Sequence, residues 1–326
     1  MSSLSSKRLL VTGGSGFLGS AVVDLALHAG WQVRALSRSS RLIPERVEPF
    51  VGDICDGSLI REACDGVTAV IHAAGLAHIV GRDALHSTRF NNVNVLGTAE
   101  LVSGALECGV PRLVLVSSVS VYGRYPGPKC DETVPCRPSG SYANSKRLGE
   151  LRAIELAGTG RCSLSILRLA TVYGEGDRGN VARLIGAIDR GRFIWAGSGD
   201  NQKSLIYKED AARACLLAVD RSELTTEIFN VSTSPCTMRE LLTAICDALG
   251  RPVPQLAIPL SLLRPTSAFC RSIGDPLQLA SRLEKFLRDD VYDGTRFITR
   301  FGFSPQVPLR EGIRKEVEFL HEYKQE

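Results

Sequence analysis

From residue 8 to about residue 169 the sequence alternates short apolar, β-branched runs with longer segments of helical period. Runs of that kind suit a parallel sheet, whose strands are covered by helices on both faces and are hydrophobic at nearly every position. The expected strands are 8–12, 32–36, 47–51, 69–73, 112–117 and 163–169, each bounded by Gly, Pro, Asp or Ser. Helical segments fit between them at 17–29, 94–108 and 141–157. The predicted fold class is α/β, a doubly wound parallel sheet over residues 1–172. Beyond residue 173 the alternation weakens and Pro and Gly become frequent, with helices expected at 181–190, 210–219 and 238–249. Residues 173–326 are therefore expected to form mainly a smaller substrate-binding lobe, with some segments returning to the sheet.

Composition acts mostly by exclusion. The 39 basic and 35 acidic residues leave a net charge of +4 with no basic stripe, so no nucleic acid partner is expected. Residues 1–6 are polar and leave no room for a signal peptide before the first apolar run, so a cytoplasmic location is expected. The most apolar later stretch, 259–270, is interrupted by Arg264 and Pro265. It falls short of the ~20 residues a span needs, so no transmembrane segment is expected. Ten cysteines include no CxxC pair and no Cys/His set at zinc spacing, and the five histidines form no HExxH pattern. No metal is expected, and the thiols read as reduced, although Cys130 and Cys136 flank an acidic loop and could pair under oxidation.

The run Thr12-Gly13-Gly14-Ser15-Gly16-Phe17-Leu18-Gly19 follows an expected strand and opens an expected helix. Without Cβ atoms such a turn closes tightly and its backbone can approach a pyrophosphate, to which a helix N-terminus offers free N–H donors. Gly13, Ser15, Gly16, Phe17, Leu18 and Gly19 are the candidate contacts with a dinucleotide, against the alternative that the glycines serve only close helix–strand packing. At the end of the second strand, where a carboxylate would bind ribose hydroxyls, the chain has Ser37 and Arg38. Arg38, with Arg41, could bond a 2′-phosphate, which points to NADP over NAD; a solvated surface arginine is the competing reading. Asp53, followed by Ile54, stands at the end of the third strand where an adenine amino group should lie; it also reads as a helix N-cap or a loop carboxylate, and the two readings are not exclusive.

Tyr142 and Lys146 stand four residues apart, on one face of an expected helix, and Ser118 follows the expected strand before it. The runs TGGSGFLG (12–19), HAAG (72–75), NVLGT (94–98), SSVSVYG (117–123) and YANSK (142–146) jointly resemble the extended short-chain dehydrogenase/reductase family, in its NAD-dependent epimerase/dehydratase branch, over most of the chain. The resemblance implies a Rossmann sheet holding NAD or NADP, with Ala73, Ala74, Gly75 and Asn94 beside the cofactor. It implies Tyr142 as general acid/base, Lys146 holding the ribose and lowering the phenol pKa, and Ser118 bonded to the reacting oxygen. A free tyrosine titrates near ~10, so ionisation near neutrality needs about 3 units, or roughly 4 kcal/mol.

The later half is similar to the subgroup acting on nucleotide-linked sugars, which implies Thr171, Asn180 and Lys203 as substrate-binding residues. Thr171 stands where many members carry Asn, Glu175 where Pro is usual, and Lys203 in the place of an Arg. The VRxxxR spacing of Arg34 and Arg38 is similar to that of enzymes of polysaccharide assembly. Dehydratases of the family place Asp-Glu after the catalytic hydroxyl residue; here Val119 and Ser120 follow Ser118, which argues against dehydration. The implied function is epimerisation of a nucleotide- or polyprenyl-diphosphate-linked sugar through a 4-keto intermediate. The alternatives are an NADPH-dependent reductase or dehydrogenase of a keto-sugar or other carbonyl, and a catalytically silent cofactor-binding regulatory protein. A homodimer through two helices per subunit is implied by the same resemblance.

Overall fold

A computed structural model describes residues 7–40, 43–77, 84–125, 127–158, 161–193, 195–220, 223–254, 257–258 and 286–322. Arg41 and the interrupted apolar stretch 259–270 lie outside the described residues. Two compact units make up the chain: Met1–Ala170 with Lys208–Val231 and Asp293–Gln306, and Thr171–Tyr207 with Ser232–Tyr292 and Val307–Glu326.

In the first unit β1 (Arg8–Thr12), β2 (Gln32–Ser37), β3 (Glu48–Val51), β4 (Ala69–His72), β5 (Arg112–Ser118), β6 (Ser163–Leu169) and a late strand, Thr226–Val231, pair parallel throughout. Their order across the sheet is β3-β2-β1-β4-β5-β6 and then the late strand. The chain reverses its direction of travel between β1 and β4, which opens a crevice at the carboxyl ends of those two strands. Strand β6 is buried at every residue, as a sheet covered on both faces requires.

One face carries α1 (Phe17–His28) against Lys208–Val219, a helix whose buried Ala211, Ala212, Ala214 and Ala218 allow close approach. The other carries α2 (Gly57–Cys64), α4 (Gly97–Glu107) and α5 (Ser141–Ala157), with α3 (Ala84–Asn91) preceding α4. Ile60, Leu101, Val102, Ala105 and Ala153 close that face over Leu10, Val70, Leu113, Leu164 and Ile166. Burying each large aliphatic side chain there contributes about 1.5–3 kcal/mol.

The single helix expected at 94–108 is not continuous: a wide π-type turn, Asn92–Leu96, precedes α4. Asn94 in that turn directs its side chain to the backbone of Leu76, a fixed partner that a regular helix pattern does not reveal.

The second unit is built from β7 (Thr171–Tyr173), α6 (Asn180–Asp189), β8 (Trp195–Ala196), β9 (Gln202–Lys203), β10 (Leu205–Tyr207), then α7, the Lys208–Val219 helix returning to the first unit, and β11, the late strand. It resumes with β12 (Cys236–Thr237), α8 (Met238–Ala248) and β13 (Ala257–Ile258). After α9 (Thr295–Phe301), which lies in the first unit, α10 (Leu309–Glu322) completes it. Its core gathers Tyr173, Ile185, Trp195, Tyr207, Leu242, Ile245, Ile313 and Val317. A capping box closes α8, Thr237 accepting from Glu240 N while Glu240 accepts from Thr237 N.

Candidate active site

Between β1 and α1 the chain turns through Gly13, whose φ of 71° suits a residue without Cβ. Its N–H donates to Leu36 O at 2.7 Å, and Gly16 N donates to Gly13 O at 2.8 Å. A Cβ on Gly19 would fall 2.0 Å from Gly13 O, and one on Gly13 would fall 2.8 Å from Ala74 N. The glycine turn and the segment after β4 thus meet across the crevice. Gly16 caps α1 without a side chain, so the N–H groups of Phe17, Leu18 and Gly19 lack helical partners and are available to an anion. Half-buried Ser15 lies in the same turn. This donor set fits a dinucleotide pyrophosphate, and the glycines let the turn pack closely enough to present it.

Farther along the crevice, the Ser37 hydroxyl donates to Ser39 O at 2.5 Å while Arg38 is exposed. Arg34 is structural: its guanidinium forks onto Glu48 and donates to the carbonyls of Glu62, Ala63 and Asp65 at the end of α2. Asp53 accepts from Cys55 N at 2.9 Å, and the N-cap of α2 is Asp56 instead, so the capping role considered for Asp53 belongs three residues on. Ile54 is buried against Gly97, and Ala73 and Ala74 are half-buried in the segment that meets Gly13.

Ser118, Tyr142 and Lys146 converge. A side-chain hydrogen bond joins Ser118 to Tyr142, and the Lys146 ammonium donates to Val116 O at 2.6 Å. A Cβ on Gly75 would lie 3.2 Å from Asn94 Oδ1 and 3.8 Å from Lys146 Nζ, which puts the HAAG segment beside both. Burial pushes the Tyr142 phenol above its ordinary pKa, and the bond to Ser118 opposes that rise. Burial also lowers Lys146 from 10.5 to about 8, with Glu150 partly restoring it. Among the described residues no cluster of His, Cys, Asp or Glu could hold a metal ion, and Cys130 and Cys136 are free thiols.

In the second unit Thr171 pairs with Leu205, and exposed Asn180 opens α6. Asp177, one turn earlier, accepts from Gly179 N and Ala182 N. Lys203 is 8% exposed, and its ammonium donates to Asp290 Oδ2 and Arg288 O, both at 2.8 Å. Lysine presents a point charge, and here the Asp290 carboxylate shares it. Glu175, which replaces the usual proline, accepts from the Tyr207 hydroxyl.

Two buried polar assemblies around the first-unit site escape sequence reading. One runs from Thr12 through His72 and Thr98 to Asn94 and Ser145, the other from Ser117 through Glu150 and Arg168 to Tyr122 and Asn230. The four-residue spacing of Tyr142, Lys146 and Glu150 on one helix face was the available signal for the second.

Residues 9–232 match the model of the NAD dependent epimerase/dehydratase family. The chain belongs to this family. Its epimerase/dehydratase relatives include 2-alkyl-3-oxoalkanoate reductase of Stenotrophomonas maltophilia, 30% identical over 94% of this chain and 98% of that protein. N-acetyl-alpha-D-glucosaminyl-diphospho-ditrans,octacis-undecaprenol 4-epimerase of Escherichia coli O157:H7 is 28% identical over 96% of each. The solved UDP-glucose 4-epimerase of Thermus thermophilus, in complex with NAD, superposes with a TM-score of 0.75 at 27% identity, covering 96% of this chain and 99% of that one. The family is therefore that expected from the sequence, the fold is its doubly wound sheet, and the chain is an enzyme of the extended short-chain dehydrogenase/reductase type. No helix among the described residues is long and apolar enough to cross a membrane.

Proposed function

We propose that this enzyme epimerises C4 of a sugar linked to a nucleotide or polyprenyl diphosphate. The observation that carries the reading is the convergence of Ser118, Tyr142 and Lys146 beside Gly75 and the glycine turn. The full-length similarity to a 4-epimerase of a diphospho-linked sugar supplies the substrate class. Tyr142 takes the proton of the C4 hydroxyl, and Ser118 holds that oxygen in line with the phenol. Lys146, kept charged by Glu150, stabilises the phenolate and binds ribose hydroxyls. A bound nicotinamide supplies the acceptor and donor of the C4 hydride. The 4-keto sugar then turns over, and Tyr142 returns the proton to its oxygen. Gly13, Ser15, Gly16, Phe17, Leu18 and Gly19 hold the pyrophosphate, with Asp53 and Ile54 toward the adenine.

Arg38 supports NADP over NAD, since no carboxylate stands there to repel a 2′-phosphate, although the solved relative named above carries NAD. Leu96, Leu148 and Leu151 are 50%, 47% and 44% exposed around α5, an apolar surface that supports a homodimer. In the second unit Asn180 and Thr171 contact the diphospho-sugar.

Incubating purified enzyme with UDP-glucose, UDP-N-acetylglucosamine and the polyprenyl-diphosphate sugar, then resolving the 4-epimers, tests the reading. Interconversion of any one supports it, and none with all three overturns it. The second reading is stoichiometric reduction of a carbonyl, favoured by the 30% identity to a reductase; substrate-dependent NADPH consumption without epimer formation would select it.

A further inference from the structure

Three consecutive residues of β5 meet three successive turns of α5. Ser118 bonds Tyr142, the Val116 carbonyl accepts from Lys146, and the Ser117 hydroxyl donates to Glu150 Oε1 at 2.6 Å. Glu150 is fully buried at 0% exposure and Arg168 nearly so at 2%. The guanidinium forks onto the carboxylate at 3.0 and 2.8 Å, and Arg147 adds a third cationic contact at 2.8 Å. Arg168 also donates to the Tyr122 hydroxyl, which donates to Asn230 Oδ1, and Asn230 Nδ2 donates to Cys130 O. One buried assembly thereby joins β5, α5, β6, the turn Val119–Tyr122 and β11.

A buried ion pair is a poor way to gain stability, because desolvating both charges offsets most of their attraction. A pair retained one helical turn beyond Lys146 needs another account, and its contacts provide one. They fix the axial height of α5 against β5, which is the coordinate that brings Tyr142 to Ser118. They also hold the Glu150 carboxylate one helical turn from Lys146 on the same face of α5, where it favours the charged ammonium. We propose that Glu150, anchored by Arg168 and Ser117, is a positioning residue that sets both the register of Tyr142 and Lys146 against Ser118 and the charge of Lys146. The inference rests on the catalytic reading of those three residues.

The groups facing this pair are Ser117 from β5, Arg168 from β6, Tyr122 from the following turn, Cys136 from its loop, and Arg147 and Lys146 on α5 itself. His72 faces Lys146 from β4 and is neutral. Only Glu150 carries a negative charge toward Lys146 among them. Glu150→Gln keeps the shape and removes the charge, Glu150→Asp keeps the charge and shortens the reach, and Ser117→Ala removes one anchor from β5. The readouts are NADH affinity by fluorescence as a function of pH, which follows the Lys146 charge on the ribose, and kcat with KM.

Glu150→Gln is expected to lower the pH above which NADH binding fails by at least about half a unit and to weaken NADH at least about threefold. Its kcat falls about tenfold or more, with sugar KM within about twofold. Glu150→Asp is expected to restore the pH limit of NADH binding while kcat stays low, and Ser117→Ala to lower kcat at least about threefold with KM unchanged. A folded Glu150→Gln protein with the parental NADH affinity and the parental pH limit of NADH binding overturns the proposal. Should both Glu150 variants fail to fold, parental kcat in Ser117→Ala overturns it. Full activity in Tyr142→Phe would instead remove the catalytic reading beneath it.

Discussion

Gly19 and Gly13 approach so closely that a Cβ on the first would stand 2.0 Å from the carbonyl oxygen of the second. Backbone, not a yielding side chain, occupies that space, so Gly19→Ala must displace either α1 or the turn proposed to receive the pyrophosphate. The variant is expected to lose about 2–4 kcal/mol of stability and to bind NADH at least about a hundredfold more weakly. Isothermal titration on the folded fraction checks this; parental affinity would show that the turn is not the cofactor cradle.

Lys146 gives function and stability opposite signs. Burial lowers it from 10.5 to about 8, so the unfolded chain binds this proton more tightly and stability rises as pH climbs from about 8 to 10.5. Lys146→Met removes a dehydrated charge and is expected to stabilise the cofactor-free protein at neutral pH by about 1–2 kcal/mol, allowing for the water that reaches this half-buried group. The same change, like Tyr142→Phe, should cut kcat about 10²–10⁴-fold. Denaturant unfolding at two pH values separates the effects, and a less stable Lys146→Met protein refutes the stability half.

The strands of the first unit were legible because burial on both faces writes them as continuous apolar runs, and β6 is buried at all seven positions. Their ends were less so: β2 runs on to Ser37 and β5 to Ser118, because hydroxyl residues at strand ends look like loop. In the second unit Trp195–Ala196, Gln202–Lys203 and Leu205–Tyr207 are too short for any period to register. The candidate site divides in the same way. Glycines and the Tyr142/Lys146 pair announce themselves by type and spacing, whereas the Glu150–Arg168 pair looks like ordinary surface charge until the fold buries it. The pairing of Lys203 with Asp290 is hidden in the same way, by a separation of 87 residues along the chain.

His72 gives the first unit a sensitivity to acid. Thr98 Oγ1 donates to Asn94 O, so it accepts from His72 Nε2, and Thr12 Oγ1 accepts from Ala74 N and donates to His72 Nδ1. The chain works only with a neutral ring, and burial followed by the Lys146 charge lowers His72 from 6.5 to about 3. Its contribution is complete above pH 6.5 and is lost as pH falls toward 3, at about 1.4 kcal/mol per unit. His72→Gln should show a flatter stability profile between those limits in urea titrations, and parallel profiles would exclude His72 as the source.

Arg38 is the residue on which the proposed preference for NADP rests. Its neighbour Ser37 commits its hydroxyl to Ser39 O, while the Arg38 guanidinium is exposed at the end of β2. A guanidinium on a 2′-phosphate forms charge-assisted, bidentate bonds, while an aspartate there repels the phosphate and accepts from two ribose hydroxyls. Arg38→Asp is therefore expected to weaken NADPH by at least about thirtyfold, or roughly 2 kcal/mol, and to leave NADH equal or tighter. Paired fluorescence titrations of both nucleotides decide it. A variant that loses affinity for both equally would show that Arg38 supports the loop and not the phosphate, and would return the enzyme to NAD.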